Sequence, residues 1–184
     1  MKLADAFSIL NATFGFLAIY YRDPSFIFLA AFADGLDGYL ARKYGSGDLG
    51  KNLDTLADFI SFGVAPAYFL GIFAFPYLLA SIYRLARFLN VNKEDFVGFP
   101  VTASAMIVVP LLFFSKNLSL FAAIILSFFM VSEIEYKKVK DAKLLSVAAI
   151  LILIAFIDSR LSVGILTLSI LYLLSPLAKN FYKH

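Results

Sequence analysis

Long apolar runs recur from one end of this 184-residue chain to the other, and they leave it few ways to fold. Stretches such as PSFIFLAAFA, FISFGVAPAYFLGIFAF and LLSVAAILILIAFI have no polar face to turn toward water. Hydrophobic residues make up 61% of the chain and charged residues 16%, whereas a soluble domain is about half apolar and about a quarter charged. In hydrocarbon every backbone N–H and C=O must be paired within the segment, which a helix achieves. The expected fold is an all-α, polytopic transmembrane helical bundle in a single integral membrane domain, 1–184.

Polar breaks at Tyr21–Pro24, Lys43–Asp48, Phe75–Pro76, Asn90–Asp95, Ser115–Asn117, Glu133–Asp141 and Asp158–Arg160 divide the chain. They leave eight helical segments, near residues 4–21, 25–42, 50–74, 76–90, 98–114, 118–133, 142–157 and 161–178. Several are shorter than the roughly 20 residues of a full crossing, so six or seven crossings with one long kinked helix stay open.

The basic residues test the eight-span arrangement. With the N-terminus inside, the inner ends hold Lys2, Arg42, Lys43, Lys51, Arg84, Arg87, Lys93, Lys137, Lys138, Lys140, Lys143, Lys179 and Lys183. The outer ends hold Arg22, Lys116 and Arg160, a distribution of 13 against 3. The positive-inside rule predicts this asymmetry, with an even number of spans and both termini cytoplasmic. The net charge of +3 is thereby a matter of topology and calls for no nucleic acid. A secretory signal peptide is not expected, since the first apolar stretch starts near Ala4 without a basic leader or a small-residue cleavage site. The two halves do not resemble each other, which weighs against an inverted-repeat transporter.

The chain has no cysteine, and its one histidine, His184, is expected to be a solvated tail residue. Chemistry must rest on carboxylates, arginines, hydroxyls or a bound metal. The stretch DGLDGYLARKYGSGDLGKNLDTLAD, residues 34–58, supplies carboxylates where hydrocarbon is the rule. Asp34 and Asp37 are three residues apart, and Asp54 and Asp58 four apart, so each pair shares a helix face. The intervening KYGSGDL is a glycine-containing turn, which makes the two helices antiparallel neighbours and lets the four acids converge. Asp48, in that turn, is expected to be a solvated end residue. Clustered anions in a low dielectric repel, and a divalent cation removes the conflict; an all-oxygen set suits Mg²⁺, Mn²⁺ or Ca²⁺ rather than zinc. Gly38, Ala41 and Gly50 are small enough for a bulky ligand to reach backbone, and Arg42 offers a planar fork to phosphate oxygens. Metal-assisted displacement at phosphorus fits these groups. An Asp-lined cation transporter or channel, which needs neither Arg42 nor the glycines, is a rival, and a scaffold protein leaves the acids unexplained.

The pattern DGxxARxxxxxxxGxxxDxxxD, Asp37 to Asp58 with Asp34 leading, resembles the signature of the CDP-alcohol phosphatidyltransferases. It departs from it in one place: seven residues separate Arg42 from Gly50 where the family usually has eight, a shortening that falls in the glycine turn. SILNATFGFLAI, LDTLADFISFGVAPA, RLARF followed by Asn90, FVGFPVTASA and FMVSEIEYKKVK are similar to one branch, the membrane-embedded phosphatidylserine synthases. The resemblance covers roughly residues 3–140, implying a six-helix catalytic core in 1–140 and two additional helices in 141–184 that pack and anchor.

The resemblance implies roles. Asp34, Asp37 and Asp54 would bind metal, two ions of Mg²⁺ or Mn²⁺, and Asp58 would contact metal and take the proton of the incoming alcohol. Gly38, Arg42 and Ser46 would hold the CDP group beside Ala41 and Gly50, with Asp5 and Ser8 lining the nucleotide pocket. The reaction would join CDP-diacylglycerol, or an archaeal CDP-archaeol-type lipid, to L-serine with release of CMP. Apart from the resemblance, the serine carboxylate calls for a cation, and Arg84 or Arg87, three residues apart on one face at an inner helix end, is the candidate, with Asn11, Thr102, Ser132, Glu133 and Glu135 as further polar lining. Glycerol phosphate or inositol phosphate as acceptor is the alternative within the family. A homodimer in a prokaryotic plasma membrane, its active site facing the cytoplasm, completes the expectation.

Overall fold

The computed structural model describes residues 2–90, 96–139 and 141–181, with side chains as far as Leu177. Lys93, Asp95, Lys140, Lys183 and His184 lie outside the described residues, as does the side chain of Lys179. The helices are α1 (Leu3–Tyr21), α2 (Phe26–Tyr44), α3 (Gly50–Asp58), α4 (Ala65–Leu70), α5 (Phe75–Asn90), α6 (Val101–Phe114), α7 (Lys116–Val131), α8 (Ala142–Ile157) and α9 (Val163–Phe181). A π-helical segment, Phe59–Val64, joins α3 to α4 as one rod, Gly50–Leu70.

The first helix turns its large apolar residues outward. On α1 the buried positions are Ala4, Asp5, Ser8, Asn11, Gly15 and Ala18, all small or polar. Leu3, Ile9, Leu10, Phe16 and Tyr20 of the same helix are exposed. A soluble helix has the opposite pattern; small residues inside and large ones outside suit helices that pack closely in lipid. Among the described residues, four stretches are long and apolar enough to cross a membrane by length and composition: Leu3–Tyr21, Gly50–Leu70, Ile72–Asn90 and Ser159–Leu177. Val101–Phe114, Lys116–Val131 and Ala142–Ile157 are shorter apolar helices. The architecture is that of an all-α membrane protein.

Two boundaries differ from those expected. The third rod ends at Gly71, whose φ of 86° breaks it, and a short 3-10 turn, Ile72–Ala74, leads into α5. Pro76 stands in the first turn of that helix, as the expected segment 76–90 has it, because the first turn has no use for the missing N–H. The fifth expected segment starts at Val101, not 98, because Phe96–Val97 pairs antiparallel with Glu135–Tyr136, Phe96 opposite Tyr136. At Gly98, φ is 78° and a Cβ would run into the Met130 carbonyl, so the chain can cross the end of α7 here only without a side chain.

α1 lies along α2 and α3, α5 along α7, and α6 along α7 and α9; α8 covers α2. Phe28, Phe62, Tyr77 and Phe99 are fully buried at the centre. The last two helices belong to this core, through Ile152, Ala155 and Ile165. Tyr172 of α9 reaches further. Its ring lies 5.8 Å from both Phe99 and Tyr136, and its hydroxyl donates to the Lys137 carbonyl at 3.0 Å.

Candidate active site

The beginnings of α1 and α3 and the ends of α2 and α5 meet at one end of the bundle. There the two predicted acid pairs come together. Carboxylate oxygens of Asp34, Asp54 and Asp58 all lie within 4.8 Å of one another. Asp34 is brought by α2, and Asp54 and Asp58 by successive turns of α3. All three are partly buried. Three carboxylates this close, shielded from bulk water, repel strongly. Their donor set is entirely hard oxygen, which fits Mg²⁺, Mn²⁺ or Ca²⁺.

Asp37, three residues from Asp34, is buried and turns toward α1, where Ser8 Oγ donates to its Oδ2 at 2.7 Å. It stands beside the trio, and its charge acts on Asp34 and Asp58. Asn11 holds Asp58 from α1, with Nδ2 donating to Oδ1 at 3.1 Å. The amide oxygen of Asn11 is buried and has no hydrogen-bond partner among the described residues. The Thr102 hydroxyl bonds Asp34 from α6.

A cavity of about 190 Å³ opens beside the acids, lined by Ala4, Asp5, Ser8, Asp37, Gly38, Ala41, Ser46, Gly50, Lys51 and Asp54. It gathers six of the seven residues expected around a nucleotide; Arg42 is the seventh. Arg42 is exposed at the rim, its Nη1 3.5 Å from where a Cβ on Gly38 would stand. Asp5 closes the cavity at the start of α1, accepting from Lys2 N–H at 2.7 Å and from Gly47 N–H at 3.1 Å. It thereby links the first helix to the α2–α3 turn. This one carboxylate both caps the start of α1 and lines the cavity. Asp48 is exposed.

Arg84 and Arg87 part company. Arg84 is buried, and its charge acts on Asp58, Asp34 and Asp54. Its guanidinium lies 5.1 Å from the Phe96 ring and 5.5 Å from Phe88. Arg87 turns to the end of α7, donating from Nη1 to the Ser132 carbonyl and from Nη2 to the Val131 carbonyl, both at 2.8 Å. Helix C-termini carry partial negative charge and unpaired carbonyls, so this cation caps α7. Glu133 and Glu135 are exposed, the latter in the strand pair. Lys51 was legible in the sequence only as an inner-end cation. It lines the cavity, donates to the Leu89 carbonyl at 3.0 Å and lies 5.2 Å from the Phe88 ring. Its place directly after Gly50, one turn before Asp54, is the signal that could have found it.

A helical membrane protein with a carboxylate trio beside a pocket of bare backbone and hydroxyls is equipped to hold a hard cation and a phosphate ester. The family model for the CDP-alcohol phosphatidyltransferases matches residues 2–134, and this chain belongs to that family. It is similar to a CDP-diacylglycerol–serine O-phosphatidyltransferase of Methanocaldococcus jannaschii, 35% identical over 169 residues, which cover 85% of this chain and 84% of that protein. An archaetidylserine synthase of Methanothermobacter thermautotrophicus is 38% identical over 165 residues, 76% of this chain and 71% of that one. A CDP-diacylglycerol–serine O-phosphatidyltransferase of Bacillus subtilis is 34% identical over 132 residues, 62% of this chain and 74% of its own length.

Proposed function

We propose that this enzyme transfers the phosphatidyl group of a CDP-lipid to the hydroxyl of L-serine and releases CMP. The observation that carries the reading is the trio Asp34, Asp54 and Asp58, drawn within 4.8 Å beside the small-residue cavity, in a family whose similar members act on serine by name. The lipid carries diacylglycerol or ether-linked isoprenoid tails, since both present the same diphosphate. The diphosphate lies along Gly38, Ala41 and Gly50, where backbone is accessible, with Ser46 and Arg42 donating to its oxygens. Asp5 and Ser8 face the nucleotide.

Asp34, Asp37, Asp54 and Asp58 are the residues that would hold divalent cations, two of Mg²⁺ or Mn²⁺. Bound there, they neutralise diphosphate charge and the charge that develops on departing CMP. The serine hydroxyl oxygen forms a bond to the phosphorus bearing the lipid. The bond from that phosphorus to the bridging oxygen breaks, CMP leaves with the electron pair, and the hydroxyl proton passes to Asp58. Asn11, through its bond to Asp58 Oδ1, keeps that carboxylate aimed. The unpartnered amide oxygen of Asn11 suits a donor on the acceptor, its ammonium above all, since leaving such an atom unpaired costs about 1–3 kcal/mol. Arg84 faces the serine carboxylate, because Arg87 is engaged with the α7 carbonyls.

Eight crossings with both termini cytoplasmic, a cytoplasmic active site in a prokaryotic plasma membrane, and a homodimer complete the reading. The charge distribution supports the orientation. The test is CMP release by purified protein in detergent, with CDP-diacylglycerol and Mn²⁺ or Mg²⁺, with and without L-serine, for wild type and Asp58→Asn. Serine-dependent release that Asp58→Asn abolishes is expected. Release driven by glycerol phosphate or inositol phosphate but not serine overturns the acceptor assignment. No release with any acceptor, from folded protein, overturns the transferase reading and turns attention to cation transport.

A further inference from the structure

Directly after Asp58 the helix changes its hydrogen bonding. Phe59–Val64 is π-helical, with the Ala65 N–H closing on the Ile60 carbonyl, five residues back. Pro66 comes next. Proline has no N–H, so the Phe62 carbonyl, four residues earlier, loses the partner an α-helix would supply. The Tyr77 hydroxyl of α5 donates to that carbonyl at 2.9 Å. Tyr77 and Phe62 are both fully buried, which leaves the carbonyl no solvent substitute.

The extra residue in a π turn rotates the helix beyond it against the helix before it by about 100°. Asp54 and Asp58 stand before the insertion and face the acid of α2. Ser61, inside it, donates to the Asn11 carbonyl at 2.8 Å. The amide of Asn11 donates in turn to Asp58. Asp58 and Ser61, three residues apart, share the face of the rod that meets Asn11, so the pitch of the turn between them sets how both reach it. The bond that the α5 hydroxyl makes to the π segment is therefore coupled through Ser61 and Asn11 to the carboxylate at the reacting centre.

We propose that Tyr77 is a positioning residue for the transfer reaction: its hydroxyl holds the π turn after Asp58 and so fixes where Asp58 and Asn11 meet. The assignment rests on the proposed role of Asp58 as proton acceptor. Tyr77→Phe keeps the ring and removes only the hydroxyl. Pro66→Ala returns a backbone donor to reach of the Phe62 carbonyl and favours an uninterrupted α-helix. Both are assayed for serine-dependent CMP release alongside wild type and Asp58→Asn, and thermal midpoints are measured. Each variant is expected to lose kcat by about tenfold or more while KM for the CDP-lipid stays within about twofold, as for a small displacement at a reacting centre. Pro66→Ala is expected to do so with an undiminished thermal midpoint, because alanine is much the better helix former. Wild-type kcat in either folded variant overturns the proposal. Recovery of Tyr77→Phe by cooling also overturns it, since that marks a role in stability alone. A wild type without activity, or an Asp58→Asn variant matching it, would instead sink the transferase mechanism itself.

Discussion

Gly50 and Gly35 are two glycines near the acid cluster that should respond in opposite ways to a single added methyl group. A Cβ on Gly50 would stand 2.5 Å from Ser46 Cβ and 2.9 Å from Asp5 Oδ1. Carbon atoms rest about 3.5 Å or more apart, so something must move by roughly 1 Å. Asp5 resists, held by the Lys2 and Gly47 N–H groups at 2.7 and 3.1 Å. Overpacking of this kind costs about 1–3 kcal/mol, more than the up to about 1 kcal/mol that alanine returns in helix propensity. Asp5, Ser46 and Gly50 all line the cavity, so the movement falls on the wall of the proposed nucleotide site. For Gly50→Ala, kcat/KM for the CDP-lipid should drop by about 10- to 100-fold, mostly through KM. Gly35, beside Asp34 on α2, has nothing within 4 Å of its added Cβ. Gly35→Ala should stay within about twofold of wild type and lose no stability. The assay is the initial rate of CMP release against CDP-lipid concentration at saturating serine, with thermal midpoints alongside. Folded Gly50→Ala with a wild-type KM, or Gly35→Ala impaired equally, would refute the reasoning.

Two further tests address the acids and the arginines. Chelation with EDTA should abolish CMP release and added Mn²⁺ or Mg²⁺ restore it, with Asp54→Asn needing a higher metal concentration for half-activity; full rates in EDTA would remove the metal from the mechanism. Arg84→Lys should raise the serine KM, because a point charge cannot replace a fork against a carboxylate. Arg87→Ala should instead leave that KM unchanged and cost about 1–3 kcal/mol of stability through the two carbonyls it strands; kinetics that reverse the two would mean that Arg87 serves the substrate.

Much of the fold and the site was legible in the sequence because charge is so costly in hydrocarbon. Breaks between rods were marked by polar residues, and the four-residue spacing of Asp54 and Asp58 placed them on one face as found. Spacing alone could not say where the opposite ends of side chains go. Asp34 and Asp37 share a face by spacing, yet Asp34 joins the trio while Asp37 bonds Ser8. Arg84 and Arg87 divide in the same way, because the frayed end of α7 offers carbonyls to one of them. Pro76 opens the next helix as expected, but the end of the third rod was placed too close to it, since Gly71 with its positive φ is the residue that breaks the rod. The strand pair Phe96–Val97 with Glu135–Tyr136 is too short to leave an alternating pattern. The π turn shifts a helix by one residue, which periodicity hardly registers; Pro66 was its one trace.

The three-ring contact of Phe99, Tyr136 and Tyr172 has a temporal side. Phe99 and Tyr136 bracket α6 and α7, while Tyr172 sits in α9, which leaves the ribosome after both. A nascent chain can bring its carboxylates together well before that helix emerges. The segment around Lys137, which Tyr172 fastens, must wait for it. Biosynthesis thus imposes an order: the acidic centre first, the clasp on its neighbouring loops afterwards. A chain released early would carry every residue of the family signature and still lack that clasp.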